Sequence, residues 1–122
     1  MNDRFKFRAW DKEQNCYKYG LTVVDYMRGM VNRERYILEQ CTSLKDKNGK
    51  LIHEGDIVAK IDINGFGYPR KRICRVCWKE DWLGWAIETE YDDVYALGDY
   101  GSDNFEVIGN VHENKDLFEQ ED

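Results

Sequence analysis

The chain has 122 residues, a formal net charge of −6 and an aromatic content of 14%. This length predicts one domain with a modest core. The negative charge disfavours general attraction to nucleic acid or anionic membranes, and no run approaches the roughly 18 apolar residues of a membrane-spanning helix. The N-terminus lacks the apolar core of a signal peptide. We therefore expect a cytoplasmic protein with no membrane contact, whose four cysteines are thiols.

The first predicted strand is RFKFRAWD, residues 4–11, in which apolar and basic residues alternate. One face would be apolar and would carry Phe5, Phe7 and Ala9. The other face would be basic and would carry Arg4, Lys6 and Arg8. The pattern predicts a half-buried strand with a basic outer face.

Further strands are predicted near residues 17–19 and at residues 35–42. Between them, residues 21–34 are ambiguous. β-branched residues favour a strand there, but Leu21, Val24 and Met27 also have helical spacing. An irregular segment and a short helix both fit this sequence.

The middle of the chain is unusually polar and reads SLKDKNGKLIHEGDIV, residues 43–58. Asn48-Gly49 is the preferred sequence of a type I′ turn. A second tight turn is predicted at residues 53–56, where Gly55 precedes a β-prone run that starts at Ile57. We interpret this stretch as two turns flanking a short strand.

The second half of the chain alternates short β-prone runs with turn signals. The run at residues 57–63 would place Ile57, Ala59, Ile61 and Ile63 on one face. This spacing predicts a mainly β fold, a small antiparallel, partly open barrel or sandwich with a short C-terminal helix. We expect one β domain over residues 1–113 and a short helical, acidic tail over residues 114–122.

Three blocks together resemble a known family. They are KFRAWD at Lys6–Asp11, SLKDKNGKLIHEGDIV at Ser43–Val58 and VIGNVHEN at Val107–Asn114. In this order and spacing they resemble the YopX family of small phage and prophage proteins. Within the middle block, Ser43 stands where the family usually has the glycine of YTGLKD, and Cys41 stands in place of its tyrosine.

The resemblance implies a mainly β domain, a bacteriophage origin and a capacity for self-association. It transfers no catalytic residue, because it implies no biochemical activity. A further departure is Lys115, where the family commonly has NPEL. This difference concerns turn geometry.

Cys74 and Cys77 form a C-x-x-C pattern that could suggest zinc or redox chemistry. A structural zinc site normally has a second, similarly spaced pair, whereas Cys16 and Cys41 lie far apart. In a strand, residues 74 and 77 would also point to opposite faces. We expect small, buried thiols and no metal.

The remaining reactive side chains show no catalytic pattern. His53 and His112 lack a neighbouring nucleophile with a carboxylate, and Ser43 and Ser102 lack a nucleophile-elbow sequence. No glycine-rich phosphate loop is present. We therefore expect no catalytic residue, no cofactor and no enzymatic activity.

The segment RKRICRVCWK, residues 70–79, has five basic residues and no acidic one. Basic side chains can follow phosphates while aromatic rings stack on bases. The resulting candidate nucleic-acid surface consists of Tyr68, Arg70, Lys71, Arg72, Arg75 and Lys79. The alternative is a solvated strand face whose charges pair across strands with Glu88 and Glu90.

Trp78, Trp82 and Trp85 lie close together around one predicted hairpin. Tryptophan usually fills cores, but it is also enriched at the anchors of protein interfaces. Our leading hypothesis is a non-enzymatic phage accessory protein that acts by protein–protein contact, as a homo-oligomer or with a host protein. Single-stranded nucleic-acid binding through the basic strand is the alternative.

Overall fold

The computed structural model describes residues 6–22, 34–63, 66–89, 93–99 and 104–118. The ambiguous part of the sequence at residues 23–33 lies outside the described residues. The strands of the described part are β1 (Lys6–Asp11), β2 (Cys16–Thr22), β3 (Tyr36–Lys45), β4 (Leu51–His53), β5 (Asp56–Ile63), β6 (Pro69–Lys79), β7 (Gly84–Thr89), β8 (Val94–Ala96) and β9 (Phe105–Asn110). A 3-10 turn spans Leu97–Asp99, and helix α1 spans Lys115–Phe118.

The strands form two antiparallel sheets. A four-stranded sheet has the order β2-β1-β3-β4, and a five-stranded sheet has the order β8-β7-β6-β5-β9. Helix α1 contacts β6 of the larger sheet. The predicted mainly β, antiparallel fold with a short C-terminal helix is confirmed.

The hydrophobic core lies on one face of the five-stranded sheet. Val58 of β5 lies opposite Cys74 of β6, and Val76 of β6 lies opposite Ile87 of β7. Residues directly opposite each other share a face, so all four side chains enter the same fully buried cluster. Burial of each larger aliphatic side chain contributes about 1.5–3 kcal/mol. This cluster forms a hydrophobic core within the described residues.

The start of β5 is buried on both faces, and the face that Ile57, Ala59 and Ile61 share is exposed towards the end of the strand. Ile57 and Ala59 are buried, but so is Val58, which points to the other side of the sheet. Ile61 is 41% exposed, and the side chain of Ile63 is not among those described. Near its start, β5 contributes Val58 to the core cluster on one face and buries Ile57 and Ala59 on the other. A strand buried on both sides loses the alternation that sequence patterns reveal.

The predicted basic outer face of β1 is wrong at Arg8. β1 lies between β2 and β3, and Arg8 is only 4% exposed. Its guanidinium meets the carboxylates of Glu39 and Asp56, which come from other strands. A buried charge needs such partners, and the local sequence around Arg8 gives no sign of them.

Asp46 organises the polar turn between β3 and β4. Its Oδ1 accepts hydrogen bonds from the backbone N–H groups of Asn48 and Lys50, and its Oδ2 accepts one from Val107 of β9. Burial opposes ionisation of Asp46, but these donors outweigh it and hold the pKa of the carboxyl below its usual value. The turn therefore covers part of the outer edge of β9. Such coverage hinders strand addition by another chain.

Ser43 has a left-handed backbone conformation, with φ of 71°. β3 continues to Lys45, beyond its predicted end at Thr42, and its pairing with β4 is irregular between Cys41 and Lys45. A left-handed conformation costs a residue with a Cβ atom about 1–2 kcal/mol. This strain gives a physical reason for the glycine expected here from the resemblance to the YopX sequences.

We predict that Ser43→Gly raises the free energy of unfolding by about 1 kcal/mol, because relief of backbone strain exceeds the added entropy of the unfolded chain. Urea denaturation measures the change. Ser43→Ala is the matched control, since it removes the hydroxyl and keeps the Cβ atom. A glycine variant no more stable than the alanine variant would contradict this account.

Candidate functional site

A buried ionic cluster joins the two sheets at Arg8. The Arg8 Nε donates to Glu39 Oε1 at 2.9 Å, and Nη2 lies 2.8 Å from Asp56 Oδ1. Nη2 also donates to the backbone carbonyl of Glu54 at 3.1 Å. Arg8 and Glu39 belong to the four-stranded sheet, whereas Asp56 begins β5 of the larger sheet. One guanidinium thus holds carboxylates from both sheets.

Aromatic side chains enclose the Glu39 end of this cluster. The Tyr17 hydroxyl donates to Glu39 Oε1 at 2.8 Å, and the Arg8 Cζ lies 4.1 Å from the centre of the Tyr17 ring. His112 Nε2 lies 2.9 Å from Glu39 Oε2. The His112 ring stacks on Trp10 with a centroid separation of 4.7 Å. Glu39 is therefore bonded by three different side chains.

Burial and neighbouring charges fix the protonation states of two members of the cluster. Burial lowers the pKa of Arg8, but the charges of Asp56 and Glu39 raise it by more, so the guanidinium remains charged. Burial and the Glu39 carboxylate raise the pKa of Tyr17 well above its usual value. At neutral pH both groups act as hydrogen-bond donors and hold their protons.

An open cleft of about 400 Å³ lies beside the cluster. Arg8 and Tyr17 line one part of it, and Lys50, His53 and Asn110 line another. Burial, followed by the charges of Arg8 and Lys50, lowers the pKa of His53 to about 4. The His53 imidazole is therefore neutral at pH 7. In the sequence these residues lie in separate predicted turns and strands, and no local pattern brings them together.

Gly55 allows the two sheets to approach each other next to Glu39. It has a φ of 85°, and a Cβ atom at this position would overlap the Glu39 carboxylate. Its N–H donates to the carbonyl of Val76, and its carbonyl accepts from the N–H of Val111. Gly55 is thus required both by backbone conformation and by space.

The structure divides the candidate nucleic-acid surface. Tyr68, Arg70 and Lys71 are exposed at the start of β6. Farther along, Arg72 is half-buried, with its Nη1 3.9 Å from Asp93 Oδ2, and Arg75 Nη2 lies 2.8 Å from Glu88 Oε2.

Strand geometry also separates the basic residues of β6. The Arg75–Glu88 contact is one of the cross-strand pairs expected under the alternative interpretation, whereas Glu90 lies outside the described residues. Lys79 lies at the far end of β6 and is half-buried. Alternation places Arg70 and Arg72 on one face and Lys71, Arg75 and Lys79 on the other. The exposed members of this candidate surface, Tyr68, Arg70 and Lys71, lie together at the start of β6.

The three predicted tryptophans have different environments. Trp85 packs against the hydrophobic core, and Trp78 lies opposite it with the rings edge to face at 5.2 Å. Trp78 is 42% exposed, Trp82 is 51% exposed and the neighbouring Leu83 is 79% exposed. We call Trp78, Trp82 and Leu83 the tryptophan patch. Leu83 was missed because an apolar residue beside a turn gives no sign of whether it is buried.

The two cysteines of the C-x-x-C pattern differ in burial. Cys74 is fully buried in the core, whereas Cys77 is half-buried. Burial and the nearby Glu88 carboxylate raise the pKa of the Cys77 thiol, which lowers its reactivity. Among the described residues, no group of three or more histidine, cysteine, aspartate or glutamate side chains is arranged to hold a metal ion.

The model of the YopX protein family matches residues 21–119. The chain belongs to the YopX family. Two of the three sequence blocks, at residues 43–58 and 107–114, fall inside the match, and the block at residues 6–11 precedes it. A search of curated proteins found no match. In the part of this YopX-family chain that the structure describes, no helix is long and apolar enough to cross a membrane.

The fold is similar to that in the crystal structure of protein EF1440 from Enterococcus faecalis. The TM-score is 0.56 and the sequence identity is 23%. The comparison covers 93% of this chain and 97% of the other. At this identity the likeness shows the fold alone.

We predict that Gly55→Ala destabilises the protein more than Gly49→Ala does. Both glycines have similar positive φ values, but a Cβ atom at Gly49 would meet no atom within 4 Å. Gly49→Ala should therefore cost only the conformational strain of about 1–2 kcal/mol. Gly55→Ala adds a collision with a buried carboxylate, and we expect a loss of more than about 3 kcal/mol. Urea denaturation measures the free energy of unfolding of both variants. Equal losses in the two would show that the close approach of residue 55 to Glu39 adds no cost.

A second prediction concerns the pH dependence of stability. The pKa of His53 falls from 6.5 in the unfolded chain to about 4 in the folded protein, so the unfolded state binds more protons between these pH values. The contribution of His53 to the free energy of unfolding is fully present above pH 6.5 and is lost as the pH falls towards 4.

We therefore expect the advantage of the natural protein over His53→Gln to shrink by roughly 1–3 kcal/mol across this window. Urea denaturation at several pH values measures this difference, in which the contributions of shared carboxylates cancel. A difference that stays constant with pH would contradict the assigned environment of His53.

Proposed function

We propose that this YopX-family chain is a non-enzymatic bacteriophage or prophage accessory protein of the host cytoplasm. It acts by protein–protein contact, with a second copy of itself or with a host protein. The observation that carries this proposal is the tryptophan patch. Two partly exposed tryptophans lie at one hairpin beside a largely exposed leucine, and tryptophan is enriched among interface anchors.

The assignment of a binding role rather than a catalytic one is supported by the polar cluster. Arg8 and Tyr17 hold their protons, because their environments move each pKa farther from neutrality. General acid–base catalysis instead favours groups whose pKa lies near the working pH. The cluster is better suited to holding the two sheets together than to transferring protons.

A second copy of the chain is the partner that we favour for the tryptophan patch. The segment that joins Trp78 to Trp82 carries the half-buried Lys79 and the exposed Glu80 and Asp81. Two-fold symmetric interfaces pair a surface with itself, so residues of opposite charge beside the same apolar patch can meet across the axis. The same arrangement would also accept a host protein with a complementary apolar surface.

We predict that Trp82→Ala weakens self-association at least tenfold, because interface tryptophans commonly contribute 2 kcal/mol or more, roughly a factor of 30. Sedimentation velocity over a concentration series measures this dissociation. Tyr68→Ala is the matched control, since it removes an exposed aromatic ring at the opposite end of β6. A natural protein that remains monomeric at every concentration would exclude self-association. Capture experiments with Trp82→Ala would then test a host partner.

Single-stranded nucleic-acid binding is the second candidate function. It is favoured by the exposed group near the start of β6, where Phe66 is 87% exposed and Tyr68, Arg70 and Lys71 lie beside it. Titration with a fluorescent oligonucleotide at low and physiological salt tests this candidate. Binding through phosphates would weaken linearly with the logarithm of salt concentration and would be lost in Lys71→Glu but retained in Trp82→Ala.

A further inference from the structure

The sequence blocks that carry the family resemblance meet in space at the cleft beside Arg8. Among the described residues, every residue that lines this cleft lies in one of the three blocks, apart from Tyr17 and Tyr19. Arg8 comes from the first block, Lys50 and His53 from the second, and Asn110 from the third. Turns from distant parts of the chain that form one cleft on a rigid scaffold are a common arrangement for binding sites.

Two carboxylates near the cleft, those of Asp56 and Asp46, are engaged by donors of the protein itself. Asp56 Oδ1 contacts Arg8 Nη2 at 2.8 Å, and Asp56 Oδ2 accepts from the His53 N–H at 2.7 Å. Asp46, behind the same turn, accepts three backbone hydrogen bonds. Lys50 is exposed at the cleft. Its ammonium group is therefore accessible to a ligand, whereas the acidic groups behind it are directed to protein donors.

Arg8 provides a second positive group at the buried side of the cleft. Its contacts with Glu39, Asp56 and the Glu54 carbonyl use Nε and Nη2. A guanidinium has five N–H donors, and none of these three contacts involves Nη1. In the described part of the chain, Arg8 and Lys50 are the two cationic side chains that line the cleft, and the carboxylates of Asp56 and Glu113 line it as well.

Tyr19 offers an aromatic surface next to these positive groups. It follows Tyr17 on the same face of β2, and it is largely exposed. The Tyr17 ring is covered by Arg8 on one face, whereas Tyr19 has area available for stacking. An exposed ring beside a lysine fits a ligand that combines a planar group with an anion.

We propose that this cleft binds a nucleoside phosphate, with the phosphate near Lys50 and Arg8 and the base against Tyr19. A volume of about 400 Å³ is in the range of small-molecule sites. The site shares no residue with the tryptophan patch and adds a ligand to the proposed role in protein contact. The same chemistry could come from a free nucleotide or from the phosphorylated end of a nucleic-acid strand.

Glu113 adds a preference among bases. It lines the cleft, and its Oε1 accepts a hydrogen bond from Asn110 Nδ2 at 2.8 Å. A carboxylate can accept further hydrogen bonds, so it can receive one from the exocyclic amino group of adenine or cytosine. Uracil and thymine lack such a group, so they should bind more weakly.

Isothermal titration calorimetry with adenosine monophosphate tests the proposal. We expect binding to the natural protein and a loss of about tenfold or more in Lys50→Ala, because a charge-assisted contact with phosphate is removed. Lys47→Ala is the matched control: Lys47 belongs to the same turn, but it pairs with Glu106 at 3.6 Å and does not line the cleft. Thermal unfolding of each variant checks that the fold is retained.

Further titrations separate the possible sources of the ligand. Adenosine and inorganic phosphate should each bind more weakly than the complete nucleotide. Tighter binding of an oligonucleotide with a 5′-phosphate than of the mononucleotide would identify a strand end as the ligand, and the reverse would identify a free nucleotide.

The proposal is overturned if neither adenosine monophosphate nor the phosphorylated oligonucleotide binds, or if Lys50→Ala and Lys47→Ala bind alike. Trp82→Ala and Lys71→Glu should leave nucleotide binding unchanged. Failure of this site and failure of the proposed protein-contact role are therefore distinguishable.

Discussion

The contact of Arg8 with Glu39 and Asp56 is the interaction on which the arrangement of the two sheets depends. All three side chains are almost fully buried, and they come from three different strands. The attraction between these charges is largely offset by the cost of removing them from water. The net contribution of the cluster to the free energy of folding is therefore modest. Removing one partner is different, because the remaining charges stay buried without compensation, at a cost of about 3–5 kcal/mol. The cluster therefore constrains how the sheets pack.

This constraint explains the polar sequence in the middle of the chain. Asp46 closes the first turn and covers the edge of β9, while Gly55 admits the Glu39 carboxylate and Asp56 binds Arg8. The segment is polar because its side chains and backbone groups form hydrogen bonds and ion pairs with buried partners as well as with water. The same turns form the wall of the cleft, so the packing of the sheets also shapes the candidate ligand site.

Two surfaces with different chemistry follow from this fold. The tryptophan patch lies at the β6–β7 hairpin, where Trp85 packs against the core and leaves Trp78 and Trp82 partly exposed. The cleft lies where the sheets meet and is lined by charged and aromatic groups. Because they have no residue in common, a protein partner and a small ligand can be tested independently with Trp82 and Lys50 variants.

The sequence by itself determined the local features of this protein. Alternating residues predicted the antiparallel strands, and the sequence blocks identified the family. Asn48-Gly49 and Gly55 predicted the positions of the two turns, but the expected type I′ geometry is wrong, because Gly49 has a positive φ and Asn48 does not. These features depend on neighbouring residues, which a linear sequence displays. The tertiary structure decided that Arg8 is buried, that Leu83 is exposed and that the cleft forms. Each of these depends on partners or coverage from distant strands, and no local pattern encodes which carboxylates reach a buried guanidinium.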